Sequence, residues 1–153
     1  MKVFNTLIPN DIPLTNYKIW EYARKLEIPY FRIVTMLDNL PTKVNNSECG
    51  IVNLNKTGER GSHWVAYWKE ESTRIYFDSY GQITPIEIQC YLKTKSELNQ
   101  GKSVILRNTD IVQPVNSSIC GHLCLFTLKA LGEGWTYQEV LNTLREKRLT
   151  STS

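Results

Sequence analysis

The stretch ICGHLCLFTLKAL, residues 119–131, constrains this chain more than any other. Wound as a helix, it is apolar around most of its circumference. A helix without a polar face must be covered on all sides. The pattern therefore predicts a buried central helix with the other elements wrapped around it. A chain of 153 residues is long enough to do this around one sizeable core. Residues 1–153 read as a single domain, with a loose tail at 149–153.

The flanking patterns supply the wrapping. Residues 14–27, LTNYKIWEYARKLE, have helical spacing. Tyr17, Trp20, Ala23 and Leu26 share one face, Thr15 or Asn16 serves as cap, and Pro29 stops the helix. FRIVTML, 31–37, suits a short strand or a short helix. ECGIVNLN (48–55), SHWVAYWK (62–69) and RIYFDSYG (74–81) read as strands, with turns at 56–61 and at EEST. In the second of them Trp64, Ala66 and Trp68 lie on one face, with His63, Val65 and Tyr67 on the other. Connections this short predict an antiparallel meander. TPIEIQCYLKT, 84–94, suits a helix capped by Thr84 with Pro85 at its first position. SVILRNTD, 103–110, is a further strand, 113–118 a polar loop, and YQEVLNTLREKR, 137–148, an amphipathic helix. Helices at both ends around a strand cluster make the class α+β.

Composition narrows the setting. A net charge of +3 permits a nucleic-acid partner without arguing for one, since no basic block is present. The N-terminus MKVFNTLIPND lacks a signal-peptide pattern, and no apolar segment approaches the length of a membrane span. The four cysteines, Cys49, Cys90, Cys120 and Cys124, are few for this length. They point to a reducing, intracellular setting, where thiols are free, metal-bound or catalytic rather than paired.

Cys120, His122 and Cys124 lie within five residues, at the entry to the central helix. A zinc site needs three or four converging ligands. On a helix His122 points away from the face shared by the two cysteines, no CxxC pair exists, and no metal or other cofactor is expected. Residues four apart on a helix are poorly placed for a disulfide. A nucleophile remains. If Ser117-Ser118 start the helix, Cys120 falls in its first turn, where unpaired N–H groups and the helix dipole favour a thiolate. Gly121 would then leave room for a substrate backbone. The ordinary alternative is that Cys120, like Cys124, is a small buried apolar residue.

A thiol nucleophile needs a base, and the base needs an orienting group. His122 is badly directed. His63, at the start of a strand, can reach across from elsewhere in the fold. Asp78 ends the neighbouring strand and can orient it, unless it is only a turn former. An oxyanion needs donors: the Cys120 N–H is one, and Gln113 or Asn116 in the loop upstream is the candidate for a second.

The order His63, Asp78, Gln113, Cys120 resembles the adenovirus endopeptidase (adenain) family and the wider clan with the SUMO-specific Ulp proteases. The motifs are CGIVN, GSHWVA, YFDSYG and QPVNSSICGHLC, spanning 48–131. The pattern is similar above all to adenain-like proteases of Polinton or Maverick elements and of virophages. The resemblance implies an adenain/Ulp-type cysteine-protease fold: a small, mostly antiparallel central sheet flanked by helices, with the nucleophile at the N-terminus of the buried helix. It implies His63 as base, Asp78 as its orienter, Gln113 as oxyanion donor and Cys120 as nucleophile. Trp64 and Gly121 would contact substrate, Trp64 helping to shape a channel that admits glycine-rich sequences.

The implied activity is cleavage of viral or transposon polyprotein or capsid precursors after small, glycine-type residues. The expected partner is thus a polypeptide, met in the host cytoplasm or nucleus or in the virion, with no membrane involved. The position matching the family's peptide-linking cysteine falls near Lys102, where no cysteine stands. A disulfide-linked activating peptide is therefore not expected. The same chemistry also suits a deubiquitinase or deSUMOylase acting after Gly-Gly, and the same fold a binding module without turnover.

Overall fold

The computed structural model describes residues 12–55, 63–94, 97, 104–114 and 117–152. Among them, five strands form one sheet in sequence order, flanked by four helices. The turn read at 56–61, Asn116 and the neighbourhood of Lys102 lie outside the described residues.

The strands are β1 (Phe31–Met36), β2 (Ser47–Asn53), β3 (Trp64–Glu70), β4 (Thr73–Phe77) and β5 (Leu106–Arg107). The β2–β3–β4 meander is antiparallel, as the short connections require. The two outer strands pair parallel: β1 with β2, and β5 with β4. The sheet is therefore mixed. The run at 31–37 resolves into β1 followed by a 3-10 turn, Leu37–Asn39. The strand expected over 103–110 is reduced to the two residues of β5.

β2 and β3 are buried along almost their whole length, so both faces of the sheet are covered. The alternation in β3 sorts the two cores. Trp64, Ala66 and Trp68 join Ile51, Phe77, Leu125 and Leu128 on one side, while Val65 and Tyr67 join Val52, Tyr76, Ile88 and Leu92 on the other. Gly50 on β2 is required where the sheet faces Tyr67: a Cβ there would come within 2.8 Å of the Tyr67 ring and of the Ile33 carbonyl oxygen.

α1 (Asn16–Lys25) begins at Thr15, whose Oγ1 accepts the Lys18 N–H at 3.2 Å. Its buried side chains are Ile19, Tyr22 and Ala23, with Leu26 at its end. Tyr17 is 81% exposed and Trp20 is 38% exposed, so the inward face is rotated from the expected one. The spacing admits both faces, and the identities of the aromatics misdirect the choice. α2 (Ile86–Leu92) starts one residue later than predicted, with Pro85 at the cap position and no side-chain cap from Thr84. α3 (Cys120–Gly132) is the buried central helix, and α4 (Tyr137–Thr152) follows it. The backbone is helical through Thr152, past the point where the composition suggests a loose tail.

Two sulfur contacts set the register of α3 on the sheet. The Trp64 N–H donates to Cys120 Sγ at 3.4 Å, and the Cys124 thiol donates to the Trp64 carbonyl, also at 3.4 Å. One residue of β3 is thus gripped by side chains one helical turn apart. This brings the start of α3 against the start of β3.

Candidate active site

His63 immediately precedes β3, and Asp78 immediately follows β4. Because these strands are antiparallel neighbours, the two residues fall at the same end of the sheet. His63 Nε2 lies 2.7 Å from Asp78 Oδ1. Asp78 Oδ1 also accepts the Tyr80 N–H at 2.9 Å, and Asn108 brackets the Asp78 backbone, donating to its carbonyl at 2.6 Å and accepting its N–H at 3.2 Å. Asn108 Oδ1 is itself held by the Tyr137 hydroxyl at 2.9 Å. The turn after Asp78 closes through the Gly81 N–H on the Asp78 carbonyl at 2.8 Å. Gly81 has φ +67°, and a Cβ there would lie 2.6 Å from the Asp110 carbonyl oxygen, so only glycine fits.

Cys120, whose Sγ accepts the N–H of Trp64, the residue after His63, lies close enough to His63 to act on its imidazole. Burial opposes the imidazolium, but hydrogen bonds to Asp78 and Cys120 and their negative charges outweigh it, and His63 is raised from 6.5 to about 9. Cys120 is the first residue of α3. Ile119 occupies the cap position with no side-chain cap, so the sulfur sits in the first turn, at the positive end of the helix dipole. Ser117 does not cap: its hydroxyl turns back to the Pro114 carbonyl at 2.7 Å. The helix thus begins later than the serines suggest.

Gln113 is buried, with Oε1 accepting from the Ser79 hydroxyl at 2.5 Å and Nε2 donating to the Ser117 carbonyl at 2.8 Å. His63, Trp64, Gln113 and Cys120 all line one cavity of about 740 Å³, with Leu14 and Met36 among the residues of its wall. The structure therefore brings together the four polar residues that the sequence singles out, from segments up to 57 positions apart.

Two further expectations fare differently. Trp64 does border the cavity, and its indole N–H donates to the Leu14 carbonyl at 3.2 Å. Gly121 does not open toward a substrate. The space beside its Cα is taken by Leu14 and Trp64, each 3.4 Å from where a Cβ would stand. The glycine accommodates the chain's own packing.

His122 and Cys124 are buried in α3 outside the cavity. Burial, then the nearby Cys120 and Asp78 charges, push the Cys124 thiol well up, so it stays neutral. Burial does the same to Cys49. Among the described residues no group of three or more His, Cys, Asp or Glu side chains is placed to hold a metal ion, and no helix is long and apolar enough to cross a membrane.

Three site residues escape the sequence patterns. Tyr80 lies with its ring 4.8 Å from the His63 ring, tilted by 34°. Ser79 holds Gln113. Asn53 is a buried amide in the cavity wall, beside Trp64 across the β2–β3 pair. The first two sit in the DSYG turn, where a polar residue reads as ordinary turn chemistry. The signal available was their adjacency to Asp78.

The fold is α+β and is shared with a viral protease: the crystal structure of the ASFV pS273R protease superposes with a TM-score of 0.61 at 19% identity, covering 88% of this chain and 63% of that one. In sequence, the chain is similar to the protease of porcine adenovirus A serotype 3, 31% identical over 122 residues that make up 71% of this chain and 59% of that protease. It is also 31% identical over 91 residues to the protease of bovine adenovirus 2, covering 54% of this chain and 44% of the relative. The chain thus spans 44–59% of the length of these two adenovirus proteases. No family model matches it.

Proposed function

We propose that this chain is a cysteine endopeptidase with Cys120, His63 and Asp78 as its triad and Gln113 as oxyanion donor. The observation that carries the reading is the His63 ring, which bonds Asp78 at 2.7 Å and lines one cavity with Cys120 and Gln113. A raised imidazole beside a sulfur at a helix N-terminus favours the thiolate–imidazolium pair, the reactive form of such a thiol.

The Cys120 thiolate attacks the scissile carbonyl carbon, and the carbonyl electron pair moves onto oxygen. The Cys120 N–H and the second Nε2 proton of Gln113 receive that oxyanion. The intermediate collapses, the C–N bond breaks, and imidazolium His63 gives its proton to the leaving amine. Water, deprotonated by His63, then attacks the thioester and releases the acid and the free thiolate. Asp78 holds the imidazole and stabilises its charged form throughout.

The substrates we infer are capsid or polyprotein precursors of a virus or virus-like element of the Polinton or virophage kind, cut after small, glycine-type residues. Trp64, beside both His63 and Cys120 and anchored to Leu14, supports a preference against bulky side chains at the bond. The test is a panel of precursor peptides with glycine or a bulky residue before the cut. Cleavage after glycine, abolished in Cys120→Ala, supports the reading. A Cys120→Ala protein as active as the parent would overturn it.

A further inference from the structure

Ser79 takes no part in the chemistry above, yet its hydroxyl is fully buried and makes a short bond to the Gln113 carboxamide. A carboxamide can sit either way round, and its bonding decides which end is nitrogen. The Ser117 carbonyl can only accept, so it fixes nitrogen on its side, 2.8 Å away. The Ser79 hydroxyl, 2.5 Å from Oε1, supplies the donor that the oxygen end requires. One Nε2 proton goes to Ser117; Nε2 carries a second, and Gln113 and Cys120 line the same cavity.

We propose that Ser79 is a positioning residue for the oxyanion donor: its O–H···Oε1 bond holds Gln113 Nε2 toward Cys120. This rests on the cysteine-peptidase reading given above. Placement makes Ser79 suited to the task. Its own carbonyl accepts the Val112 N–H at 2.8 Å, so the turn and the loop carrying Gln113 are tied at backbone and side chain alike. On the far side, Arg148 Nε of α4 donates to the Gln113 carbonyl at 3.3 Å. Bonds in a chain also polarise one another. A donor on Oε1 draws electron density from the amide and makes Nε2–H a stronger donor to a developing oxyanion. The Asp78-Ser79 dipeptide then serves both halves of the site, Asp78 through the base and Ser79 through the oxyanion amide.

The experiment compares wild type, Ser79→Ala, Ser79→Thr, Gln113→Ala and the Ser79→Ala/Gln113→Ala pair. It reads peptide turnover, affinity for a peptide aldehyde and the rate of Cys120 alkylation by iodoacetamide. Alkylation forms no oxyanion, whereas the aldehyde adduct carries one. Ser79→Ala should lower kcat about 10-fold, a part of what a lost oxyanion donor costs. It should weaken the aldehyde by a similar factor, with KM and the alkylation rate unchanged. Ser79→Thr, which keeps the hydroxyl, should recover most of kcat. On Gln113→Ala the second substitution should add nothing, because the two act as one unit.

Ser79→Ala with wild-type kcat and aldehyde affinity overturns the proposal. So does a variant that loses alkylation and turnover together, or one whose full effect persists without Gln113. A wild-type protein that cleaves no peptide sinks the peptidase reading itself, a different failure from normal turnover with an indifferent Ser79→Ala.

Discussion

Two buried carboxylates, Glu48 and Asp78, are handled in opposite ways. Glu48, on β2, is saturated. Its Oε1 accepts from Arg32 at 2.6 Å and from the Asn45 N–H at 2.7 Å, and its Oε2 from the hydroxyls of Tyr67 at 2.5 Å and Tyr91 at 2.8 Å. Burial opposes its charge, but those four donors outweigh it and hold Glu48 below the usual carboxylate range. Asp78 has His63 and the Tyr80 N–H on one oxygen, while Oδ2 is buried with no hydrogen-bond partner among the described residues. Glu48 is held by Arg32 and three neutral donors, none of them in the cavity wall, whereas Asp78 is bonded to His63, which lines it. The contrast separates a structural network from a candidate catalytic one without reference to any relative.

Substitutions can break that contrast. The largest effect is expected for Asp78→Asn, which keeps the shape and removes the charge: turnover should fall by about ten thousandfold, as when a triad carboxylate is neutralised. Above pH about 9, where His63 is neutral in wild type as well, its urea midpoint should stay near that of wild type. Glu48→Gln should do the reverse. Neutralising the buried partner of this half-buried ion pair should cost about 2 kcal/mol in urea unfolding, with kcat per folded molecule unchanged. If Asp78→Asn unfolds the protein while keeping turnover per folded molecule, or Glu48→Gln kills activity in a fully folded protein, the roles are misassigned.

Acidity separates the two regions more gently. Glu48 is depressed, so its contribution to stability is present above the ordinary carboxylate range and lost as pH falls through its folded value. His63 is raised from 6.5 to about 9, so its contribution is complete below 6.5 and lost as pH rises through about 9. Activity should therefore decline on an alkaline limb near pH 9, as His63 loses the proton it delivers to the leaving amine. Chemical denaturation followed across pH should show an acid limb that flattens in Glu48→Gln, while the alkaline limb of activity stays in place. The smallest effect is expected for Gly121→Ala. Its new methyl would meet Leu14 and Trp64 at ordinary contact, 3.4 Å, and turnover should change by no more than about twofold.

Much of this was legible in the residues. The all-round apolarity of 119–131 gave the central helix, and the alternation in 64–68 gave the sorting of two cores. Short turns gave the antiparallel meander, which by itself places His63 beside Asp78. The parallel edges were not legible. β1 joins β2 through a 3-10 turn and loop rather than the helix that usually marks a parallel crossover, and β5 is only two residues long. The buried face of α1 was legible in part: Ala23 and Leu26 are inside, whereas Tyr17 and Trp20, on the same stripe, are exposed and Ile19 and Tyr22 turn inward instead. Ser79 and Tyr80 were missed because their roles depend on what lies across the turn.

The central claim is that His63 and Asp78 act on Cys120 and make its sulfur the reactive one. It is tested most directly by iodoacetamide labelling, resolved by residue in wild type and in Asp78→Asn. The account predicts that wild-type Cys120 labels well ahead of exposed Cys90 and of buried Cys49 and Cys124, and that Asp78→Asn removes this advantage. Slow and equal labelling of all four cysteines, or a Cys120 rate indifferent to Asp78→Asn, would contradict it.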